Sequence, residues 1–143
     1  MTQSTKSANE LQSARPNDRS LQKALESARA AIDKKAENVK IIDLTEISGF
    51  TDYFVICSGI SDRQVKAIAD SVSHHLETSI NCELVSNEGY SDGRWVLLDF
   101  GDVVVHVFLD ALREYYDLDG LWADAPKLKI PSEFYGSGAS RLN

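Results

Sequence analysis

The sequence predicts a single α/β domain built on a mixed sheet of about five strands flanked by helices, and three observations carry that prediction. Tyr53-Phe54-Val55-Ile56-Cys57 is continuously apolar, the pattern of a strand covered on both faces. Val65, Ile68, Ala69, Val72 and Leu76 recur at helical spacing between two strand-like runs. Trp95 to Phe108, WVLLDFGDVVVHVF, sets two apolar runs around Gly101-Asp102, the pattern of a β-hairpin closed by a two-residue turn.

Residues 1–17 are rich in Ser, Thr, Gln and Asn without apolar periodicity, and they read as a disordered leader that Pro16 ends. From about Asp18 to Glu37, Leu21, Leu25, Ala28 and Ile32 share one face of a first helix. Val39 to Leu44 reads as a strand, Ser48-Gly49 as a loop, and Tyr53 to Cys57 as the central strand. Ser61 and Gln64 have the capping-box spacing, so a second helix starts there and runs to about Thr78. Cys82 to Ser86 is expected as the next strand, making a right-handed strand-helix-strand crossover in a partly parallel sheet. The hairpin adds two strands, and Leu109 to about Leu118 looks helical. Pro126, Pro131 and Gly136-Ser137-Gly138 then mark residues 123–143 as an extended tail, leaving 18–122 as the domain itself.

Composition excludes several function classes. No apolar run approaches the roughly 18 residues of a membrane span, and the N-terminus lacks a basic-then-apolar signal. The expected location is therefore cytoplasmic or equivalent. Cys57 and Cys82 both fall in strand-like apolar runs and read as buried, reduced thiols. The net charge is −7, and residues 99–124 hold seven carboxylates against Arg113 alone, a local balance of −6. Wrapping of a phosphate backbone needs clustered Lys and Arg, so direct nucleic-acid contact is disfavoured, whereas a basic protein surface suits the acidic segment. The plainer reading is a solvated face that aids solubility.

The sites for chemistry come out incomplete. Cys57 and Ser58 have no histidine at a spacing that would activate them, and adjacent His74 and His75 point about 100° apart on a helix, so they do not share one metal ion. Gly59 precedes a helix N-terminus but lacks the Gly-Lys-Ser/Thr of a phosphate loop. Asp99 and Asp102 lie on opposite sides of a turn, with His106 where a third carboxylate would stand. No cofactor is called for.

A docking reading uses the same hairpin. Trp95, Leu97 and Asp99 project to one face of their strand and Val96, Leu98 and Phe100 to the other, while Val104, His106 and Phe108 share a side of the partner strand. The Trp95 face is then expected to be exposed, an aromatic anchor among polar groups. The alternative is an indole that plugs the core beneath a loop.

Several motifs in order resemble the ribosomal silencing factor, or Iojap, family: Thr51-Asp52-Tyr53-Phe54-Val55-Ile56-Cys57-Ser58-Gly59, Ser61-Asp62-Arg63-Gln64-Val65-Lys66-Ala67-Ile68-Ala69, the whole Trp95–Phe108 hairpin, Arg113-Glu114-Tyr115-Tyr116 and Leu121-Trp122. The resemblance spans about Leu21 to Trp122. It implies a nucleotidyltransferase-like fold without the catalytic carboxylates, and no enzymatic activity. It implies binding to the large ribosomal subunit at large-subunit protein fourteen, steric blockade of subunit joining, and lowered translation when nutrients fail. It also implies that Trp95, Leu97 and Asp99 contact the partner, with Tyr90, His106 and Arg63 as further contacts, and that the chain forms a homodimer in isolation. The expected setting is a bacterial-type cytoplasm, with an organelle of bacterial descent as the alternative. The rival expectation is a divergent nucleotidyltransferase-like enzyme using Asp99 and Asp102 with a divalent metal.

Overall fold

Small side chains decide how the first helix sits. In the computed structural model, which describes residues 16–136, α1 spans Pro16–Asp33 and presents fully buried Ser20, Ala24, Ser27, Ala28 and Ala31 to the rest of the molecule. Without long side chains between them, backbones approach closely. The helix stops at Asp33, earlier than its periodicity suggests, because Lys35 turns left-handed at φ 66°. The Lys35 and Ala36 amides then close back onto the Ile32 and Ala31 carbonyls at 2.8 and 3.0 Å, a Schellman ending.

Strand β1 (Glu37–Asp43) pairs antiparallel with β2 (Tyr53–Gly59), every residue of which is buried. Helix α2 (Asp62–Ile80) starts where the Ser61 hydroxyl accepts from the Gln64 amide at 3.1 Å. The Gln64 side chain reaches back to the Ile60 amide at 2.7 Å and donates to the Lys34 and Lys35 carbonyls, so this cap also ties the two helices together. The five apolar residues that define its periodicity are the five it buries. It ends at left-handed Asn81, φ 54°.

The segment after α2 departs from expectation. Cys82 to Val85 forms no strand: the Cys82 amide is held by the Leu76 carbonyl at the helix end, and Val85 is exposed. The strand is the short, fully exposed β3 (Ser86–Glu88), at the sheet edge beside β4 (Trp95–Asp99). Strand β2 finds its parallel partner in β5 (Val103–Leu109), from Tyr53 opposite Val103 to Gly59 opposite Leu109. The crossover therefore includes α2 and the first strand of the hairpin.

The hairpin itself forms as its sequence predicts. Gly101, at φ 95°, and Asp102 make the two-residue turn, closed by the Phe100 amide donating to the Val103 carbonyl at 2.9 Å. Helices α3 (Asp110–Tyr116) and α4 (Leu118–Leu121) follow. Residues 123–136, read from the sequence as extended tail, add a sixth strand, β6 (Lys127–Leu128), on the outer side of β1, and a 3₁₀ turn, Ser132–Tyr135. The turn buries Phe134 beneath the Arg29 guanidinium, 4.2 Å above the ring. The sheet order is β3-β4-β5-β2-β1-β6. The expected leader, residues 1–17, lies outside the described residues apart from its last two positions, Pro16 and Asn17, which are helical and begin α1.

Two cores result. The larger lies between the sheet and α1 and α2, holding Val55, Cys57, Val65, Ile68, Val96, Leu98, Val105 and Val107. The smaller covers part of the other face with Ile42, Leu44, Phe54, Ile56, Phe108 and Ala125.

Candidate functional site

The alternation of β4 sets the geometry of the site. Val96 and Leu98 are buried against the helices, while Trp95, Leu97 and Asp99 stand half-buried on the opposite face. In register across the hairpin, Trp95 faces Phe108, Leu97 faces His106, and Asp99 faces Val104. The indole stacks on the Phe108 ring at 4.8 Å and meets the Tyr116 ring, from α3, at 4.8 Å. Its Nε1–H donates to Nδ1 of His106 at 3.1 Å.

His106 is 4% exposed, and burial pushes its pKa down to about 4. The ring is neutral at physiological pH, so Nδ1 accepts and the proton sits on Nε2. That Nε2 is buried beside the Phe54 ring, 4.5 Å between centroids, with no hydrogen-bond partner among the described residues. The expected exposure of the whole face is thus corrected: Phe54 and Phe108 belong to the smaller core, and His106, packed against both rings, is nearly buried and holds the indole N–H. What remains open is a strip. A groove of about 450 Å³ is lined by Phe50, Thr51, Leu97, Asp99, Val104 and His106 among others, and one of about 240 Å³ by Glu88, Gly89, Trp95 and Leu97.

The carboxylates at the turn are engaged in structure. Asp99 Oδ1 accepts from the Gly101 amide at 2.8 Å, and Asp102 Oδ1 accepts from Lys23 Nζ at 2.7 Å, with the same ammonium donating to the Phe100 carbonyl at 3.0 Å. They serve different partners and do not converge on one point. Among the described residues no three His, Cys, Asp or Glu side chains are grouped to hold a metal ion. Cys57 is fully buried, and its thiol is pushed up to about 12, the opposite of an activated nucleophile. His75 pairs with Glu26 at 2.7 Å on the helix layer.

Tyr90 and Arg63 line neither groove. The Tyr90 hydroxyl donates to Asp70 on α2 at 2.9 Å, which raises its pKa, and Arg63 is exposed on the first turn of that helix. Arg113 is a residue that reading the sequence for function passes over. It is 6% exposed and donates through Nε and Nη2 to both Asp119 oxygens at 2.9 Å, and through Nη1 to the Ser58 hydroxyl and the Asn38 carbonyl. Its signal is visible in hindsight: it is the lone cation among seven carboxylates in residues 99–124.

The sequence model described as "Ribosomal silencing factor during starvation" matches residues 17–141. The chain belongs to the ribosomal silencing factor family. The silencing factor RsfS of Bacillus subtilis is 46% identical over 100 residues, covering 70% of this chain and 84% of that protein. The chloroplastic Iojap protein of Arabidopsis thaliana is 33% identical over 114 residues, covering 80% of this chain and 47% of its own. Among solved structures, a crystal structure of a Chromobacterium violaceum protein superposes with TM-score 0.70 at 35% identity, covering 77% of this chain and 90% of that one. A second, from Bacillus halodurans, gives TM-score 0.66 at 41% identity, covering 80% and 100% respectively. The family's span includes residues 123–136, in agreement with a C-terminal segment that completes the sheet of this silencing-factor domain.

Proposed function

We propose that this chain silences translation by docking its Trp95 strip onto the large ribosomal subunit, at large-subunit protein fourteen, and so sterically blocking joining of the small subunit under nutrient limitation. The observation that carries this reading is the Trp95 side chain: a half-exposed indole, clamped by Phe108 and Tyr116, whose N–H is already satisfied inside the molecule. A docked indole in that state buries apolar ring without stranding a polar group. Leu97 extends the apolar contact, and Asp99, one oxygen of which is used in the turn, offers the other to a partner Lys or Arg.

Electrostatics favour a basic protein over nucleic acid. The net charge of −7 repels phosphate and steers the chain toward a cationic surface before contact. The mechanism is occupation of a surface and requires no reaction. Among the described residues no helix is long and apolar enough to cross a membrane. The setting that fits this reading is a bacterial-type cytoplasm, and self-association of the free chain through the same strip would compete with docking.

Light scattering of subunit association tests it. Blockade predicts that the protein lowers the association signal when added to large subunits first and has little effect once the subunits have joined. Equal effects in both orders, or none, would contradict it. Calorimetry adds a check on the rival: saturable heat with magnesium and a nucleoside triphosphate, abolished by Asp102→Asn, would revive an enzyme.

A further inference from the structure

Helices α3 and α4 are only seven and four residues long, too short to hold themselves in water. They are instead fixed from beneath by the buried Arg113 fork, which ties Asp119 of α4 to Ser58 of β2 and to the Asn38 carbonyl of β1. Lys40 adds an ion pair to Asp119 at 3.2 Å. Taking a guanidinium and a carboxylate out of water is unfavourable, and such pairs specify one geometry more reliably than they stabilise a fold. The side chains they hold rigid point outward. Tyr115 is 79% exposed, Leu121 71% and Tyr116 45%, and Asp110, Glu114, Asp117 and Asp124 are exposed around them.

The tyrosines of this surface run into the Trp95 indole, and Leu121 is exposed on the helix that follows. Tyr115 meets Tyr116 edge-on at 5.2 Å, and Tyr116 meets Trp95 at 4.8 Å. A rigid aromatic pair rimmed by carboxylates matches one partner chemistry: a Lys- or Arg-bearing protein segment, its cation over a ring face and its aliphatic stem along the apolar side chains.

We propose that the Tyr115–Tyr116–Leu121 ledge is a second contact surface, which receives a basic segment of the docked protein partner while Trp95 engages its neighbour. It rests on the docking reading above, and it assigns binding to residues outside the Trp95 strip. Glu114 pairs with the incoming cation, and Arg113 is a positioning residue.

Titration of the full chain against purified large ribosomal subunits tests it, with Tyr115→Ala/Leu121→Ala, Glu114→Gln and Trp95→Glu beside the wild type. The double variant changes exposed side chains only, so its thermal melt should match the wild type while its affinity falls on the order of tenfold. Glu114→Gln should weaken binding at low salt and flatten its salt dependence. Binding by the double variant within twofold of wild type, while Trp95→Glu abolishes it, would overturn the ledge and leave the Trp95 strip standing. Tighter binding by Glu114→Gln would mean that the ledge faces phosphate, and would also overturn it. Unchanged binding by Trp95→Glu would bring down the docking reading itself.

Discussion

The Nε1–H of Trp95 donates to Nδ1 of His106 across 3.1 Å, joining the half-buried indole to a buried, neutral imidazole. The bond requires the unprotonated Nδ1, so the orientation of the indole is linked to the charge state of a nearly buried group.

That link has a pH signature. His106 has a folded pKa of about 4 against an ordinary 6.5, so between these values the unfolded chain binds a proton that the native state refuses. Its contribution to stability is complete above about pH 6.5 and is lost as pH falls toward 4, up to about 3 kcal/mol in all. In His106→Asn the titrating group is gone. The stability difference between wild type and variant, from urea unfolding, should shrink steadily from pH 6.5 to 4, and a constant difference would contradict the assignment.

Arg113 should behave as a buried ion-pair partner. Arg113→Met leaves Asp119 to Lys40 alone and takes the donor from Ser58 and the Asn38 carbonyl, and is expected to destabilise the fold by about 1–3 kcal/mol in urea unfolding. Asp119, held down to about 2 chiefly by its hydrogen bond from Arg113, should rise toward the ordinary carboxylate range in a carboxyl NMR titration of the variant, with Lys40 still holding it below. Arg113→Lys, which keeps the charge and loses the fork, should fall between the two. A loss below about 1 kcal/mol in Arg113→Met would show that the fork is not the fastening it resembles.

Two glycines with positive φ should respond differently to alanine. At Gly101, φ 95°, an added Cβ meets nothing within 4 Å, so the change costs only backbone strain, on the order of 1 kcal/mol. At Gly89, φ 82°, the Cβ would lie 2.1 Å from the Trp95 carbonyl oxygen, which is backbone and must move. Gly89→Ala should therefore lower the melting temperature more than Gly101→Ala and weaken binding to large subunits by displacing Trp95. Equal effects on stability and binding would argue that the Gly89 loop does not support the anchor.

Legibility in the sequence followed the range of the interactions. The α2 face and the hairpin turn were readable because helical spacing and a single glycine act over a few residues, as Val65 to Leu76 and Gly101 show. The pairing of β2 with β5 was not, because Tyr53 and Val103 meet across fifty residues that carry no local sign of it. Cys82 to Val85 reads as a strand on apolarity, yet the Leu76 carbonyl claims the Cys82 amide first. β6 is two residues long and gives no periodicity at all. At the site, alternation along β4 placed Trp95, Leu97 and Asp99 on one face, but it could not show that His106, opposite Leu97, is nearly buried against Phe54 and Phe108 of the smaller core.

The most direct test of the central claim is co-sedimentation with purified large ribosomal subunits. Wild type should pellet with large subunits and not with small ones. Trp95→Glu and Leu97→Arg, each checked for an unchanged circular dichroism spectrum, should stay in the supernatant. Folded Trp95→Glu pelleting as well as wild type, or wild type failing to pellet at all, would contradict the account.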